Sequence, residues 1–270
     1  MVTRKNVRLW LMFSFVVLLF ANMSCLAQSM NNSAQISERP AGEAVGATRI
    51  VLIGDSTMAS RTGYGDALCA LFSPGVECWN LARGGRSTKS YRVEGLWDEM
   101  TRRLGNAQFR QTYVLIQFGH NDQPGKPGRS TDLADEFPEN LRRYIVETRA
   151  MRASPVLLTP LTRRVFKGGV LQNDLRAWAE ATLSVAREMN VPVIDLNLLS
   201  SAAVSRMGSS EADTLAEEPP PQYEIATDVK SRFDYTHLGE KGAKLFAAMV
   251  AQELQRVIPE LPRANAPAEK

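Results

Sequence analysis

The stretch Arg49-Ile-Val-Leu-Ile-Gly-Asp-Ser-Thr57 joins four consecutive aliphatic residues to a short polar turn. The run Ile50–Ile53 predicts a strand buried on both faces, as the strands of parallel sheets are. Gly54-Asp55-Ser56-Thr57 then follows at the carboxyl end of that strand. In open parallel sheets ligands bind at this edge, so the stretch predicts both a fold class and the location of a site.

The chain that follows alternates short apolar runs with longer amphipathic stretches. The predicted strands are Ile50–Ile53, Val76–Leu81, Tyr113–Phe118, Val156–Leu158 and Val191–Leu196. The predicted helices are Tyr64–Phe72, Val93–Leu104, Asp135–Met151, Leu171–Met189 and Gly239–Val257. This alternation predicts a single α/β domain, a three-layer α/β/α sandwich with a central parallel sheet of about five strands. The long segment Gly208–Phe233 contains three consecutive prolines and is predicted to be an irregular, functional loop.

The first 27 residues have the features of a secretory signal peptide. Three basic residues precede the apolar stretch Leu9–Phe20, and Ser24-Cys-Leu-Ala27 precedes the expected cleavage site. An apolar run of about 12 residues is short of the ~20 that a membrane span needs, so a retained anchor is disfavoured. We therefore expect an exported protein, periplasmic or extracellular, with no membrane association after signal removal.

The composition of the rest of the chain predicts three segments: a leader, a folded domain and a tail. Residues 28–48 are rich in Asn, Ser, Ala and Gly without periodicity, which predicts a flexible leader. Residues 49–257 contain the predicted strands and helices and form the folded domain, and residues 258–270 form a C-terminal tail. Hydrophobic residues make up 44% of the chain and charged residues 23%, the balance of a globular rather than a disordered protein.

Charge and cysteine content limit the possible partners. The formal net charge is +3, and removal of Arg4, Lys5 and Arg8 with the signal peptide leaves 29 basic against 29 acidic residues. A neutral chain without blocks of basic residues argues against a nucleic-acid partner. Signal removal also leaves Cys69 and Cys78, which are either a disulfide in an oxidising compartment or two buried thiols.

Ser56 is a candidate nucleophile because it follows a strand-end glycine–aspartate pair. Such a serine needs a base, and the chain contains two histidines, His120 and His237. Asp234 precedes His237 by three residues, so its carboxylate can accept a hydrogen bond from Nδ1 and leave Nε2 free for the serine proton. Two ordinary explanations stay open: Ser56 could cap the following helix, and Asp234 could be a cap before a surface histidine.

Two other strand ends supply donors for an oxyanion. Gly84-Gly85 follows the second predicted strand, and paired glycines let backbone N–H groups approach a ligand closely. Asn121 follows the third strand and offers a side-chain amide, which is an uncharged donor. Each feature alone is also typical of an ordinary turn. Their occurrence with Ser56 and His120 at successive strand ends favours a catalytic edge.

Four blocks of sequence together resemble those of a known family. They are Gly54-Asp-Ser56, Asn80-Leu-Ala-Arg-Gly-Gly-Arg-Ser87, Gly119-His-Asn-Asp122 and Asp234-x-x-His237. They are similar to the blocks of the SGNH (GDSL-like) hydrolases, and the resemblance extends from about Ile50 to Val257. It implies a flavodoxin-like SGNH hydrolase domain over residues 49–257. Within the family the blocks look most like those of rhamnogalacturonan acetylesterases, in which a tyrosine follows the second block, here Tyr91.

The resemblance implies a serine esterase that removes O-acetyl groups from a plant cell-wall polysaccharide, rhamnogalacturonan or pectin. Ser56 would be the nucleophile, His237 the base and Asp234 the residue that orients it, with an oxyanion hole formed by the amides of Ser56 and Gly85 and the side chain of Asn121. The implied partner is an acetylated polysaccharide or oligosaccharide. We expect no metal or organic cofactor, and no cluster in the sequence has metal-ligand spacing.

Arginines are frequent in the predicted strand-end loops. They are Arg83, Arg86, Arg92, Arg163 and Arg164. A guanidinium matches the carboxylate of a galacturonic acid, so we expect Arg86 and Arg163 to bind substrate. Tyr91 joins this substrate-binding set through the resemblance.

Alternatives remain at this point. The arginines could instead pair with acids such as Asp55, Glu94 or Asp122. The protein could be an SGNH esterase of another specificity, an acetyl xylan esterase or a lipase or thioesterase, although the last two need an apolar groove and the flanking segments are polar. It could also be a non-catalytic carbohydrate-binding protein, which the strand–helix alternation disfavours.

Overall fold

The computed structural model of the chain describes residues 48–105, 109–217 and 233–262. The expected signal peptide, residues 1–27, lies outside the described residues, as does the expected leader except for Thr48. Residues 218–232, which include the three prolines of the segment predicted to be irregular, also lie outside them.

Five parallel strands form the central sheet. In chain order the strands are β1 (Thr48–Gly54), β2 (Val76–Asn80), β3 (Gln111–Gln117), β4 (Ser154–Leu158), β5 (Phe166–Lys167), β6 (Val170–Leu171) and β7 (Val193–Ile194). The sheet order is β2-β1-β3-β4-β7, and β5 and β6 form a separate antiparallel hairpin. The chain leaves β1 for β2 on one side and returns to β3 on the other, so the strand order reverses between the carboxyl ends of β1 and β3.

Helices cover both faces of this sheet. In chain order the described helices are α1 (Gly65–Leu71), α2 (Ser90–Val93), α3 (Leu96–Leu104), α4 (Glu136–Ala150), α5 (Arg176–Met189), α6 (Leu196–Asp213) and α7 (Glu240–Val257). Ile50 and Leu52 of β1 pack with α1, α6 and α7, whereas Val51 and Ile53 pack with α3, α4 and α5. The predicted three-layer α/β/α sandwich is confirmed. None of the described helices is long and apolar enough to cross a membrane.

The predicted helix Leu171–Met189 is wrong at its start. Gly168 and Gly169 have φ values of 55° and 78°, and this left-handed pair turns the chain into the β5–β6 hairpin. Leu171 is therefore the end of β6, and α5 begins only at Arg176.

The predicted strand Val191–Leu196 is shorter in the structure because a helix cap follows β7. The Asp195 carboxylate accepts a hydrogen bond from the Leu198 N–H and so starts α6, which the sequence patterns do not predict. This helix extends to Asp213, into the segment predicted to be irregular, with non-helical backbone at Gly208.

Both boundaries of the predicted domain change slightly. Thr48 belongs to β1 and is buried, so the leader cannot extend to that residue. After α7, the side chains of Ile258 and Leu261 are buried against the core on the α7 side of the sheet. The first residues of the predicted tail are therefore part of the folded domain.

A disulfide joins Cys69 in α1 to Cys78 in β2, two cysteines whose state the sequence leaves open. It links the edge strand β2 to the helix that follows the Ser56 loop. Because α1 also packs against α7, the bridge ties the edge of the sheet to the layer that carries both helices.

A variant in which both Cys69 and Cys78 are replaced by serine is expected to lose about 2–3 kcal/mol of unfolding free energy, because the bridge restricts the unfolded chain. Urea unfolding without reductant measures the difference. Reductant should lower the stability of the wild type and leave the variant unchanged. A wild type whose stability does not respond to reductant would contradict the prediction.

Candidate active site

Ser56 lies in the turn that follows β1. A Cβ at Gly54 would lie 2.6 Å from the Gln117 carbonyl oxygen, so the strand can end here only with glycine. The buried Asp55 carboxylate then fixes the turn by accepting hydrogen bonds from the Thr57 N–H and hydroxyl, at 2.9 and 2.8 Å. Within the described residues the N–H of Ser56 has no protein acceptor, which leaves it available to a ligand.

A series of hydrogen bonds between buried side chains supports this turn from the protein interior. The Tyr64 hydroxyl donates to Gln117, whose side-chain amide donates to the Thr57 hydroxyl at 2.7 Å. On the other side of Asp55, His120 Nδ1 lies 3.3 Å from Oδ2, an ion-pair distance without the alignment of a hydrogen bond. Burial alone raises the pKa of Asp55, but His120 and Thr57 more than offset it, so the pKa lies below its ordinary value.

His120 is therefore a buried residue beneath the Ser56 turn. Its side chain is 3% exposed and faces Asp55. His237, in contrast, has a side chain that is 38% exposed. Of the two histidines, His237 is the one whose ring is accessible to a substrate.

Asp234 and His237 form the pair that the sequence predicts. His237 Nδ1 lies 2.7 Å from Asp234 Oδ2, while Oδ1 accepts hydrogen bonds from the N–H groups of Thr236 and His237, both at 2.9 Å. Partial burial raises the pKa of Asp234, but these hydrogen bonds and the charge of His237 lower it more, so the pKa lies below its ordinary value. An ionised Asp234 holds the ring with Nε2 directed away from the carboxylate.

Two hydrogen bonds connect the Asp234–His237 turn to the Ser56 loop. The Leu238 N–H donates to the Thr62 carbonyl at 2.9 Å, and the Thr62 hydroxyl donates to the Ser56 carbonyl at 2.8 Å. The structure therefore brings the fourth sequence block to the same edge of the sheet as the first.

The second block lies beside Ser56 at the end of β2. A Cβ at Gly84 would be 3.7 Å from Ser56 Cβ, and the Arg83 N–H donates to the Gly54 carbonyl at 3.0 Å. Gly85 has a φ of 79°, a left-handed conformation that favours glycine. Within the described residues the Gly85 N–H has no protein acceptor.

Asn121 connects the second and third blocks. Its side-chain amide donates to the Arg86 carbonyl at 3.1 Å, which uses one of its two N–H groups. Arg129 Nη1 lies 3.3 Å from the Gly85 carbonyl and 3.5 Å from Asn121 Oδ1. Ser56, Gly85 and Asn121 thus meet at one edge, each with an N–H that makes no hydrogen bond within the described residues.

Asp122 joins the same two loops from the interior. It accepts hydrogen bonds from the Thr88 N–H and hydroxyl and from the Thr131 hydroxyl. Burial raises the pKa of Asp122 to about 7, against the opposing effect of these hydrogen bonds. This carboxylate is a structural element of the loops, and its neighbour Asn121 faces the edge.

Of the three predicted substrate-binding residues, Tyr91 needs correction, and the two arginines have partners within the protein. Tyr91 is 1% exposed and donates to the Leu81 carbonyl, so it belongs to the core and does not face a ligand. Arg86 forms an ion pair with Glu94 at 2.5 Å, the alternative that the sequence left open. Arg163 pairs with Asp174, so its charge is already balanced.

Two cations missed by the sequence analysis lie in the loop after Asp122. Lys126 donates to the His120 carbonyl, and Arg129 approaches Gly85 and Asn121. Neither has a carboxylate within ion-pair distance among the described residues. Burial, together with the positive charges of Arg163 and Arg129, lowers the pKa of Lys126 below its ordinary value. The sequence signal that could have identified Lys126 and Arg129 is their position in a segment that contains Pro and Gly and directly follows the third block.

The described residues contain no group of three or more His, Cys, Asp or Glu side chains that could hold a metal ion. The arrangement provides instead a serine, an imidazole paired with a carboxylate, and three N–H donors. These are the groups that acyl transfer requires.

Residues 52–245 match the model of the GDSL-like lipase/acylhydrolase family. The chain is 33% identical over 221 residues to rhamnogalacturonan acetylesterase RhgT of Bacillus subtilis (strain 168), a match that covers 77% of this chain and 90% of that protein. It is 30% identical over 218 residues to the probable rhamnogalacturonan acetylesterase YesY of the same strain, covering 78% and 94%.

Solved structures share the fold. A Bacillus subtilis structure of the protein YxiM has a TM-score of 0.62 at 26% identity, and the match covers 78% of this chain but only 56% of that chain. A variant of Axe2, an acetyl-xylooligosaccharide esterase from Geobacillus, has a TM-score of 0.56 at 17% identity, covering 82% and 99%. At 17% identity the second match is evidence for the fold alone.

Proposed function

The chain belongs to the GDSL-like lipase/acylhydrolase family, and on that premise we propose that it is a serine esterase that removes O-acetyl groups from rhamnogalacturonan or a related pectic polysaccharide. The observation that carries the proposal is the Asp234–His237 hydrogen bond of 2.7 Å, in a turn connected to the Ser56 loop. It supplies an oriented base at the edge that holds the serine.

In the first half of the reaction, Ser56 Oγ attacks the acetyl carbonyl carbon while His237 Nε2 takes the hydroxyl proton. The carbonyl oxygen becomes an oxyanion, stabilised by the N–H groups of Ser56, Gly85 and the Asn121 side chain. Asp234 stabilises the imidazolium that forms. The intermediate then collapses: the bond to the sugar oxygen breaks, and His237 donates its proton to that oxygen.

In the second half, water attacks the acetyl-enzyme and His237 takes the water proton. Collapse of the second intermediate releases acetate and returns the proton to Ser56 Oγ. Every proton transfer in this cycle passes through one imidazole nitrogen. No metal or organic cofactor takes part in these steps.

The names of two relatives support a pectic substrate, since both are called rhamnogalacturonan acetylesterases, one as probable. Two cations close to the proposed oxyanion hole support a pectic substrate too. Lys126 and Arg129 have no carboxylate partner among the described residues, so they are available to the carboxylate of a galacturonic acid. Arg86 and Arg163 are proposed as further contacts through the N–H groups that their hydrogen bonds within the protein leave unbonded, whereas Tyr91 is not proposed. An exported, periplasmic or extracellular location is part of the same proposal, because polymeric pectin is encountered outside the cell.

Acetate release from acetylated pectic fragments, acetylated xylan and p-nitrophenyl acetate tests the proposal. We expect the pectic fragments to be preferred, and added salt to raise their KM more than that of xylan, because salt screens the attraction between cations and carboxylates. Lys126→Met should weaken both the preference and the salt response. Arg103→Met is the matched control, since Arg103 is an exposed cation at the end of α3.

Equal activity on both polymers with equal salt responses would leave a general acetylesterase as the better description. Absence of acetate release from every substrate of the panel would reject the proposed function.

A further inference from the structure

Arg164 lies beneath the Asp234–His237 turn and is 1% exposed. Its backbone N–H donates to the Tyr235 carbonyl at 2.9 Å. Its Nη2 donates to the carbonyls of Asp234 and His237 at 2.7 and 2.9 Å, and Nη1 donates to that of Thr236 at 3.4 Å. One residue thus binds four consecutive backbone carbonyls.

Within the described residues the turn has few other anchors. It belongs to no helix or strand, and its remaining backbone hydrogen bonds in that part of the chain run to the Asp234 carboxylate and, from Leu238, to Thr62, before Gly239 donates to the Leu215 carbonyl. The hydrogen bonds to Asp234 fix the turn internally, and the bond to Thr62 fixes one end. Arg164 is the residue that connects the whole turn to the end of β4.

Burial dominates the electrostatics of Arg164. It lowers the pKa of the guanidinium below its ordinary value, and the negative charges of Asp234 and Asp213 offset this only in part. The backbone carbonyls of the turn are therefore the groups that hydrogen-bond the buried cation. A lysine could carry the same charge, but a single ammonium cannot reproduce a planar fork that reaches several carbonyls.

We propose that Arg164 is a positioning residue that holds the Asp234–His237 turn in register with Ser56. It touches neither substrate nor reacting atoms and acts through the backbone of the turn. The inference rests on the proposed function, since it assigns His237 as the base. A displacement of about 1 Å in such a base can cost on the order of 100-fold in rate, which sets the scale of the expected effect.

The test compares Arg164→Lys with Arg49→Lys, using p-nitrophenyl acetate hydrolysis, labelling of Ser56 by a fluorophosphonate, and thermal unfolding. Arg49 is 2% exposed and lies at the opposite, amino end of β1 in an ion pair with Glu77, so it matches Arg164 in burial but not in location. We expect Arg164→Lys to lower kcat and the labelling rate by about 10- to 100-fold with little change in KM. Arg49→Lys should lose stability only.

A second variant, Arg164→Ala, removes the guanidinium and leaves space for a free one. Added guanidinium or methylguanidinium at non-denaturing concentration should restore part of kcat in Arg164→Ala and not alter the wild type or an Arg49→Ala variant. Rescue by a small cation is a response that a merely structural loss of packing would not give.

Two results would overturn the positioning role while leaving the proposed function intact. One is an Arg164→Lys enzyme with the kcat of the wild type. The other is a combination of two observations. Arg164→Lys would lose no more kcat than Arg49→Lys when both variants lose the same amount of melting temperature, and added guanidinium would not restore kcat in Arg164→Ala. A wild-type protein that neither hydrolyses acetyl esters nor reacts with the fluorophosphonate would instead overturn both the proposed function and this inference.

Discussion

Replacement of Ser56 by alanine is expected to lower kcat for acetyl-ester hydrolysis by about 10⁴-fold or more, because no acyl-enzyme can form without the hydroxyl. The fold should be unaffected, since the Ser56 side chain makes no hydrogen bond within the described residues. Acetate release measures the loss. Ser60→Ala is the matched control, because Ser60 is an exposed serine four residues later in the same loop.

His237→Ala is expected to cause a loss of the same order, because in the proposed mechanism its ring moves the serine proton. The two histidines of the chain allow a direct comparison. His120→Ala should lower activity less, since His120 lies against the buried Asp55 and its side chain is itself only 3% exposed. Near-normal activity in His237→Ala, with loss in His120→Ala, would reverse the assignment of the base.

Asn121→Ala is expected to lower kcat by about 10²- to 10³-fold with little change in KM, the effect of removing one oxyanion donor. The reason is that the second N–H of its side chain remains available once the first is bonded to the Arg86 carbonyl. Steady-state kinetics on p-nitrophenyl acetate separates the two constants.

Asn121→Asp tests the same donor without a change of size. A carboxylate accepts hydrogen bonds and would repel the oxyanion, so this variant should be at least as slow as Asn121→Ala. A kcat in Asn121→Asp equal to that of the wild type would remove Asn121 from the oxyanion hole.

The sequence allowed the sheet to be predicted because its strands are buried on both faces. The unbroken run Ile50–Ile53 sends alternate residues into two cores, and only a three-layer arrangement requires both sets to be apolar. The same logic located Ser56, Gly85 and Asn121, because parallel strands place their carboxyl ends at one edge. The Asp234–His237 pair was predictable because its hydrogen bond is local, spanning three residues.

Features that depend on distant partners could not be predicted. The guanidiniums of Arg86, Arg163 and Arg164 have identical chemistry, yet one pairs with Glu94, one with Asp174, and one is buried against backbone carbonyls. Which arginine remains free for a ligand is decided by tertiary contacts. Likewise, α6 has polar residues spread around it, so its apolar periodicity is too weak to indicate a helix.

The register of the sheet has a consequence for how the protein folds. Thr48 pairs with Val76 on one side, 28 positions later, and with Gln111 on the other, 63 positions later. Closing the longer loop costs more chain entropy, and non-local parallel pairing is intrinsically slow. The Cys69–Cys78 bridge joins residues only nine positions apart, so it closes a shorter loop than either pairing and can form before β1 meets β3. Ser56 and Asn121, carried by those two central strands, therefore approach each other only once the longer of these two loops has closed.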